Sequence, residues 1–172
     1  WDRNEAVGSW VTVSCELEAP LVCERKAKQL TRKCLKGWQN FKNEKCIKYI
    51  PININYNGAV DICYRSLGTL VSITSSEEQE FVDEMARKYL KGYGFDLAWI
   101  GATRPNHSFE RFVWPNGTFV EFNKWGNECP KNKEGANCVL LAVFKDKPSI
   151  WCNHKCDSNY NRVICEKALT EE

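Results

Sequence analysis

The sequence lacks a long apolar run, a block of like charges and a recognisable catalytic set of side chains. Without an apolar run of membrane-spanning length, it predicts no membrane segment within its 172 residues. The 24 lysines and arginines nearly balance the 22 aspartates and glutamates, which argues against a nucleic-acid binder. Only two histidines are present, and no serine–histidine–aspartate, cysteine–histidine or metal-hydrolase pattern has a usable spacing. The sequence therefore predicts a binding protein and not an enzyme.

The cysteine content indicates the compartment in which this chain folds. Ten cysteines, an even number, are typical of oxidising environments where disulfides persist. Two N-glycosylation motifs agree with this interpretation, at Asn106 and Asn116. We therefore expect a secreted chain or the extracellular part of a membrane protein. Because the chain begins at Trp1 without an apolar leader, we also expect a fragment or processed form, with any anchor outside it.

A charged segment divides the chain into two unequal parts. Residues 25–33 are rich in lysine and arginine and predict a solvated linker. Residues 34–167 are long enough to form one domain with its own core, followed by a short tail at 168–172. Residues 1–24 are too few to bury a core, so they need another explanation.

An internal repeat offers that explanation. Trp10 stands five residues before a cysteine, as Trp151 does near the other end, and both copies continue to an aliphatic–Cys–Glu triplet. We interpret residues 1–24 as the tail of a preceding copy of the same domain. The alternative is an N-terminal hairpin closed by a disulfide between Cys15 and Cys23.

Apolar periodicity predicts two helices, with strands between and after them. The helices are expected at 59–67, following a turn at Asn57-Gly58, and at 76–90, capped by Ser75 or Ser76. The buried stripe expected on the second helix consists of Phe81, Val82, Met85, Ala86, Tyr89 and Leu90. Strands are expected at 69–73, 98–102, within 112–120 on both sides of an Asn116-Gly117 turn, and at 138–144. Helices early and strands afterwards predict an α+β domain.

Landmark residues in this order resemble the C-type lectin-like domain family over residues 34–167. The positions that carry the resemblance are Trp38, Cys63, Gly68, Trp99, Gly101, Trp114, Gly117, Trp125, Cys138, Trp151, Cys156 and Cys165, with Cys34 and Cys46 at the start. The resemblance implies two helices flanking small antiparallel sheets, a long irregular loop region and a set of disulfides. The implied pairs are Cys63–Cys165, Cys138–Cys156 and, as the mark of the family's long form, Cys34–Cys46.

The resemblance also implies a calcium-dependent sugar site, which is altered here. In sugar-binding members, a Glu-Pro-Asn type triplet and a Trp-Asn-Asp triplet meet at one calcium ion, helped by a further acidic ligand. The corresponding positions in this chain are Cys129, Pro130, Lys131, Ala136, Cys152 and Asn153. Calcium takes about six to eight oxygen ligands, and of the replaced ligands only Asn153 carries a side-chain oxygen. We therefore expect no calcium at this site and no other metal or cofactor.

The two cysteines at these positions suggest what replaces the ion. A carboxylate and an amide that held one ion lie close together, so cysteines in their places are within disulfide reach. We expect a Cys129–Cys152 disulfide in place of calcium. Two alternatives stay open: a weak site in a shifted register using Glu128 and Asn132, and a second calcium position using Glu134 and Asn137.

These inferences predict a calcium-independent recognition module for a protein or another extracellular ligand. Binding is expected to use the loop between Gly101 and Cys138. Arginines, lysines and an aromatic residue are the candidates for ligand contact: Arg104, Phe109, Arg111, Lys124, Lys131 and Lys133. The alternative is a lectin that binds a glycan without calcium or with a displaced calcium site. A structural role in an extracellular matrix fits the fold equally well.

Overall fold

A computed structural model of the chain describes residues 12–14, 16, 32–90, 92–105, 111–159 and 161–171. Within these residues the chain forms two helices, α1 (Tyr56–Arg65) and α2 (Ser76–Arg87), and nine strands. The strands are β1 (Arg32–Lys33), β2 (Gln39–Phe41), β3 (Lys45–Ile54), β4 (Thr69–Leu70), β5 (Phe95–Thr103), β6 (Cys138–Phe144), β7 (Ile150–His154), β8 (Asn161–Lys167) and β9 (Thr170–Glu171). The α+β class is confirmed. No helix in the described part of the chain is long and apolar enough to cross a membrane.

Helix α1 begins three residues earlier than the sequence predicts. Its N-cap is Asn55, whose side-chain oxygen accepts a hydrogen bond from the backbone N–H of Gly58 at 2.9 Å. The expected turn at Asn57-Gly58 is therefore the first turn of the helix. An asparagine at the cap satisfies a backbone donor that the helix itself leaves free, and this contact sets the start.

Helix α2 begins where the cap predicts and ends earlier than expected. The Ser75 hydroxyl accepts from the backbone N–H of Glu78 at 3.2 Å, and the helix ends at Arg87 and not at residue 90. Val82, Met85, Ala86 and Leu90 of the predicted stripe are buried, and Phe81 is half-buried. Tyr89 was expected to be buried but is 37% exposed. It lies beyond the end of α2, and its ring stacks against that of the buried Tyr49 at a centroid distance of 4.6 Å.

Most strands belong to one seven-stranded mixed sheet with the order β2-β3-β8-β5-β6-β7. Strand β4 pairs with β8 beside this path, and β1 pairs with β9 in a separate two-stranded sheet. Strand β5 runs parallel to β8, while the other pairs are antiparallel. Strand β7 lies at one edge of the sheet, and it contains Trp151-Cys152-Asn153, the triplet that corresponds to the family's Trp-Asn-Asp.

The segment 112–120 does not form the two strands that the sequence predicts. Val113 makes only isolated bridges, to Thr103 and to Phe119. The turn between Val113 and Phe119 contains the expected glycine. Gly117 has a φ of +83°, a backbone conformation that glycine adopts readily. Phe112 and Trp114 of this segment are buried in the core, whereas Phe119 is 50% exposed.

The core contains two clusters of buried side chains on the two faces of the sheet. Trp151 is fully buried in one cluster, where its ring lies edge-on to those of Trp114, Phe122 and Trp125 at 5.7–6.0 Å. Trp99 is fully buried in the other, together with the disulfide between Cys63 and Cys165. Packed aromatic rings of this kind contribute stability beyond their buried area.

Four disulfides lie within the described residues. They join Cys34 to Cys46, Cys63 to Cys165, Cys138 to Cys156, and Cys129 to Cys152. Cys15 and Cys23 lie outside the described residues, and so do the glycosylation candidate Asn106 and the ligand-contact candidate Phe109.

Candidate ligand-binding site

Buried and more exposed side chains alternate along strand β7, which contains Trp151-Cys152-Asn153. Trp151 and Asn153 are both fully buried, whereas Cys152 between them is half-buried and His154 is exposed. Residues two apart in a strand share a face, so Trp151 and Asn153 lie on one face of β7. Cys152 and His154 lie on the other face.

The loop that contains Cys129-Pro130-Lys131, the triplet that corresponds to the family's Glu-Pro-Asn, runs alongside β7. The backbone N–H of Trp151 donates to the carbonyl of Lys124 at 2.7 Å, and that of Gly126 donates to the carbonyl of Trp151 at 3.0 Å. Further along, the disulfide joins Cys129 to Cys152 with a Cα–Cα distance of 5.2 Å. The Cys129–Pro130 peptide bond is cis. Backbone hydrogen bonds and one covalent bond thus attach this loop to the edge of the sheet.

Asn153 is the centre of the site, and its side chain is bonded to backbone groups of the loop. Its Oδ1 accepts a hydrogen bond from the backbone N–H of Lys131. Its Nδ2 donates to the carbonyl of Lys131 at 2.8 Å and to that of Ala136 at 2.7 Å. Both amide hydrogens are used, and the oxygen is engaged. Asn153 thus holds two points of the loop against the sheet.

Ala136 and Asn137 continue this attachment on the other side of the loop. Ala136 is buried, and its carbonyl also accepts from Arg104 Nη2 at 3.4 Å. The Arg104 backbone N–H donates to the carbonyl of Asn137 at 2.8 Å, and its Nε donates to Asn137 Oδ1 at 3.3 Å. The Arg104 guanidinium lies 5.5 Å from the ring centre of Phe112. Arg104, a candidate for ligand contact, is therefore half-buried and engaged in holding the loop.

The other candidates lie on the surface at separate places. Arg111 is exposed with its guanidinium 5.1 Å from the ring centre of Phe119, and Lys124 is exposed beside the edge strand. Asn116 is exposed, and its Oδ1 accepts from the backbone N–H and the hydroxyl of Thr118 at 3.0 and 2.7 Å. The structure does not bring these residues into one site.

Two of the candidate lysines do share a site, together with residues that the sequence analysis did not select. Lys131 and Lys133 line a small cavity of about 100 Å³ beside Asn153, and the remaining lining residues are Ala136, His154 and Lys155. His154 and Lys155 follow Asn153 directly in the chain. The sequence offered one signal for His154. Because side chains alternate along a strand, the residue that follows the buried Asn153 lies on the opposite, exposed face.

A buried chain of hydrogen bonds supports β7 from the side of the helix. Trp151 Nε1 donates to Gln79 Oε1 at 2.7 Å, and Gln79 Nε2 donates to Asp83 Oδ1 at 2.7 Å. Burial raises the pKa of the Asp83 carboxyl, although hydrogen bonds from Ser149 and Gln79 and the nearby Arg87 act in the opposite direction. This chain links α2 to the strand that carries the altered triplet.

Acidic residues near the loop do not converge on one point. Across the described ranges, no group of three or more histidine, cysteine, aspartate or glutamate side chains is arranged to hold a metal ion. Glu134 lines a neighbouring cavity with Asp157 and Lys155, and Glu128 is exposed. The oxygen of Asn137 accepts from Arg104, as described above.

Comparisons with known proteins agree with this architecture. A family model described as the lectin C-type domain matches residues 52–167. The chain is 26% identical over 190 residues to the secretory phospholipase A2 receptor of Bos taurus, covering 95% of this chain and 12% of that protein. It is 26% identical over 184 residues to the human C-type mannose receptor 2, covering 96% of this chain and 11% of that protein.

The chain therefore spans about a tenth of the length of these curated relatives. Among solved structures, the mouse scavenger receptor C-type lectin carbohydrate-recognition domain superposes with a TM-score of 0.64. That match has 28% sequence identity and covers 78% of this chain and 96% of the other.

Proposed function

This chain belongs to the lectin C-type domain family, and we propose that it is an extracellular recognition module that binds its ligand without calcium. In this proposal the Cys129–Cys152 disulfide does the structural work of the ion, and the loop between β5 and β6 provides the binding surface. The function is binding and not catalysis. The four disulfides support an extracellular location, since such bonds persist in oxidising compartments.

The observation that carries the proposal is the set of contacts made by Asn153. A calcium ion needs about six to eight oxygen ligands, and Asn153 provides the only side-chain oxygen among the replaced ligand positions. That oxygen accepts a hydrogen bond from the backbone N–H of Lys131, and the residue is fully buried. The amide is engaged by the protein itself, so the residues at this position do not fit a calcium ion.

The charges around Asn153 support the same conclusion. Lys131, Lys133 and Lys155 line the cavity beside it. An ammonium group close to a divalent cation costs free energy, because like charges repel strongly where water is partly excluded. A carboxylate-rich site attracts calcium, whereas this cavity is lined by cations.

The disulfide explains how the loop keeps its place without an ion. It joins residues 23 apart in the sequence, one in the loop and one on the edge strand. A cross-link of this kind lowers the conformational entropy of the unfolded chain and holds the loop at the sheet in the folded state. Metal coordination would achieve the same attachment through several weaker bonds.

Calcium titration of the folded chain tests the proposal. We expect no heat of binding in a calorimetric titration with millimolar calcium. We also expect equal melting temperatures in calcium and in EDTA, because a ligand that binds only the folded state raises its stability. Titration of EDTA with the same calcium stock provides the positive control. A saturable binding isotherm at one site, accompanied by a higher melting temperature in calcium, would contradict the proposal.

A further inference from the structure

The cavity beside Asn153 has an unusual lining for a surface depression in a nearly neutral protein. Three lysines and one histidine border it: Lys131, Lys133, Lys155 and His154. Ala136 is the one apolar residue in the lining, and no acidic residue contributes to it. The lysines come from two segments, the loop before β6 and the end of β7, which the Cys129–Cys152 disulfide and the Asn153 hydrogen bonds hold together.

These lysines have no acidic partner in the described part of the chain. Other lysines do have one: Lys45 lies 2.5 Å from Glu166 and also contacts Glu78. No described carboxylate lies within 4.0 Å of the ammonium groups of Lys131, Lys133 or Lys155. Glu134 and Asp157 line the adjoining cavity, which Lys155 also borders.

We propose that this cavity binds a sulfate group of a sulfated polysaccharide. The inference deepens the proposed function and rests on it, since a calcium ion in this position would change the charge of the site. Lysine ammonium groups act as compact point charges for tetrahedral anions. A cavity of about 100 Å³ has room for one such group, and the exposed lysine side chains at its rim face the neighbouring charges of the polymer.

The lining favours a polysaccharide over an acidic peptide. Protein ligands are anchored mainly by aromatic and other large apolar side chains in well-packed pockets. This cavity offers only the methyl group of Ala136 for such contact. The lining also includes Asn153, whose amide is bonded to backbone groups of the protein. What the cavity offers a ligand is therefore positive charge.

Heparin oligosaccharides of one defined length are the probe for this proposal. Their binding to the 172-residue chain is measured by surface plasmon resonance in EDTA, at about 0.15 M salt and at a lower salt concentration. We expect binding at the higher salt concentration and tighter binding at the lower one. The variant Lys131→Glu/Lys133→Glu is expected to bind at least about tenfold more weakly, because both substitutions place a negative charge at the cavity.

The matched control is Lys145→Glu/Lys147→Glu. These two lysines are exposed in the connection between β6 and β7, at the other ends of the two strands, and the change in net charge is the same. We expect this control to bind within about twofold of the wild type at the higher salt concentration. Lys155→Glu, from the second segment, repeats the test if the loop variant folds poorly, and it is also expected to weaken binding.

Several results would overturn the inference. An equal loss of affinity in the cavity variant and the control would show attraction to net charge alone. Absence of wild-type binding at about 0.15 M salt, full affinity for desulfated heparin, or equal affinity for polyglutamate would exclude a sulfate site. If calcium titration is silent and heparin does not bind, this inference fails while the proposed function stands. If heparin binds only with calcium present, both fail.

Discussion

At the scale of the residue, Asn153 connects the altered site to the stability of the loop. One side chain makes three hydrogen bonds to backbone groups of Lys131 and Ala136. Buried polar groups cost free energy when they lose their partners. The side chain therefore contributes to folding, and its involvement there is the reason that its oxygen is not free for a metal ion.

Replacing Asn153 by alanine tests this role. We expect Asn153→Ala to lower the free energy of unfolding by about 2 kcal/mol, since it removes three hydrogen bonds between a fully buried side chain and the backbone of the loop. Urea denaturation monitored by fluorescence measures the change. The control is Asn132→Ala, at an exposed position of the same loop, with an expected change within about 0.5 kcal/mol. Equal stability of the two variants would show that the three bonds contribute nothing.

At the scale of the element, α2 and β7 are joined by the hydrogen bonds from Trp151 through Gln79 to Asp83. Burial makes ionisation of Asp83 unfavourable and raises its pKa above the ordinary value of 3.8. The folded protein thus holds this proton more tightly than the unfolded chain does. Stability therefore falls as the pH rises from about 3.8 to the folded-state pKa, and it stays lower above that value.

Asp83→Asn should remove this pH dependence. Because the asparagine does not ionise and still accepts from Gln79, we expect the variant to gain thermal stability relative to the wild type between about pH 3 and about pH 7. Melting temperatures over that range measure the difference. Glu84→Gln, an exposed position on the same helix, controls for the loss of one negative charge. A constant difference between Asp83→Asn and wild type at all pH values would contradict the assigned sign.

At the scale of the whole molecule, the disulfides differ in what they hold together, because one lies in the core and another at the edge of the sheet. The Cys63–Cys165 bond spans 102 residues and joins α1 to β8, whereas the Cys129–Cys152 bond attaches only the loop to the sheet edge. Loss of the second bond should therefore affect the loop more than the fold.

We expect Cys129→Ala/Cys152→Ala to lower the free energy of unfolding by about 3 kcal/mol and to expose the loop between β5 and β6 to proteases. Under the proposed function, calcium should not restore protection, because the Asn153 amide is bonded to the backbone of the loop. Limited proteolysis with and without calcium, read by mass spectrometry, measures both effects. The control Cys34→Ala/Cys46→Ala removes a bond in the β2–β3 hairpin region and should leave the loop protected. Rescue by calcium would show that the ion site persists.

Features that depend on neighbouring residues in the sequence could be predicted, whereas features that depend on contacts between distant residues could not. The cap at Ser75, the buried stripe around Val82 and Met85, and strand β6 follow from neighbours along the chain, whose spacing is visible in the sequence. The resemblance to the C-type lectin-like family supplied the fold. The start of α1 was missed because asparagines occur at both 55 and 57 and only the three-dimensional contact with Gly58 distinguishes them.

The conformation of segment 112–120 and the lining of the cavity depend on contacts between residues that are distant in the sequence. The sequence pattern of this segment is that of two strands, but Val113 makes only isolated bridges. Phe112 and Trp114 on either side of it are buried in the core. By itself, the sequence determined the α+β class, the presence of two helices and the cysteine content, since these depend on composition and spacing. Only the tertiary structure decided that Asn153 bonds to Lys131 and that lysines from two segments share a cavity. Those contacts join residues about twenty positions apart, and packing of the whole domain brings them together.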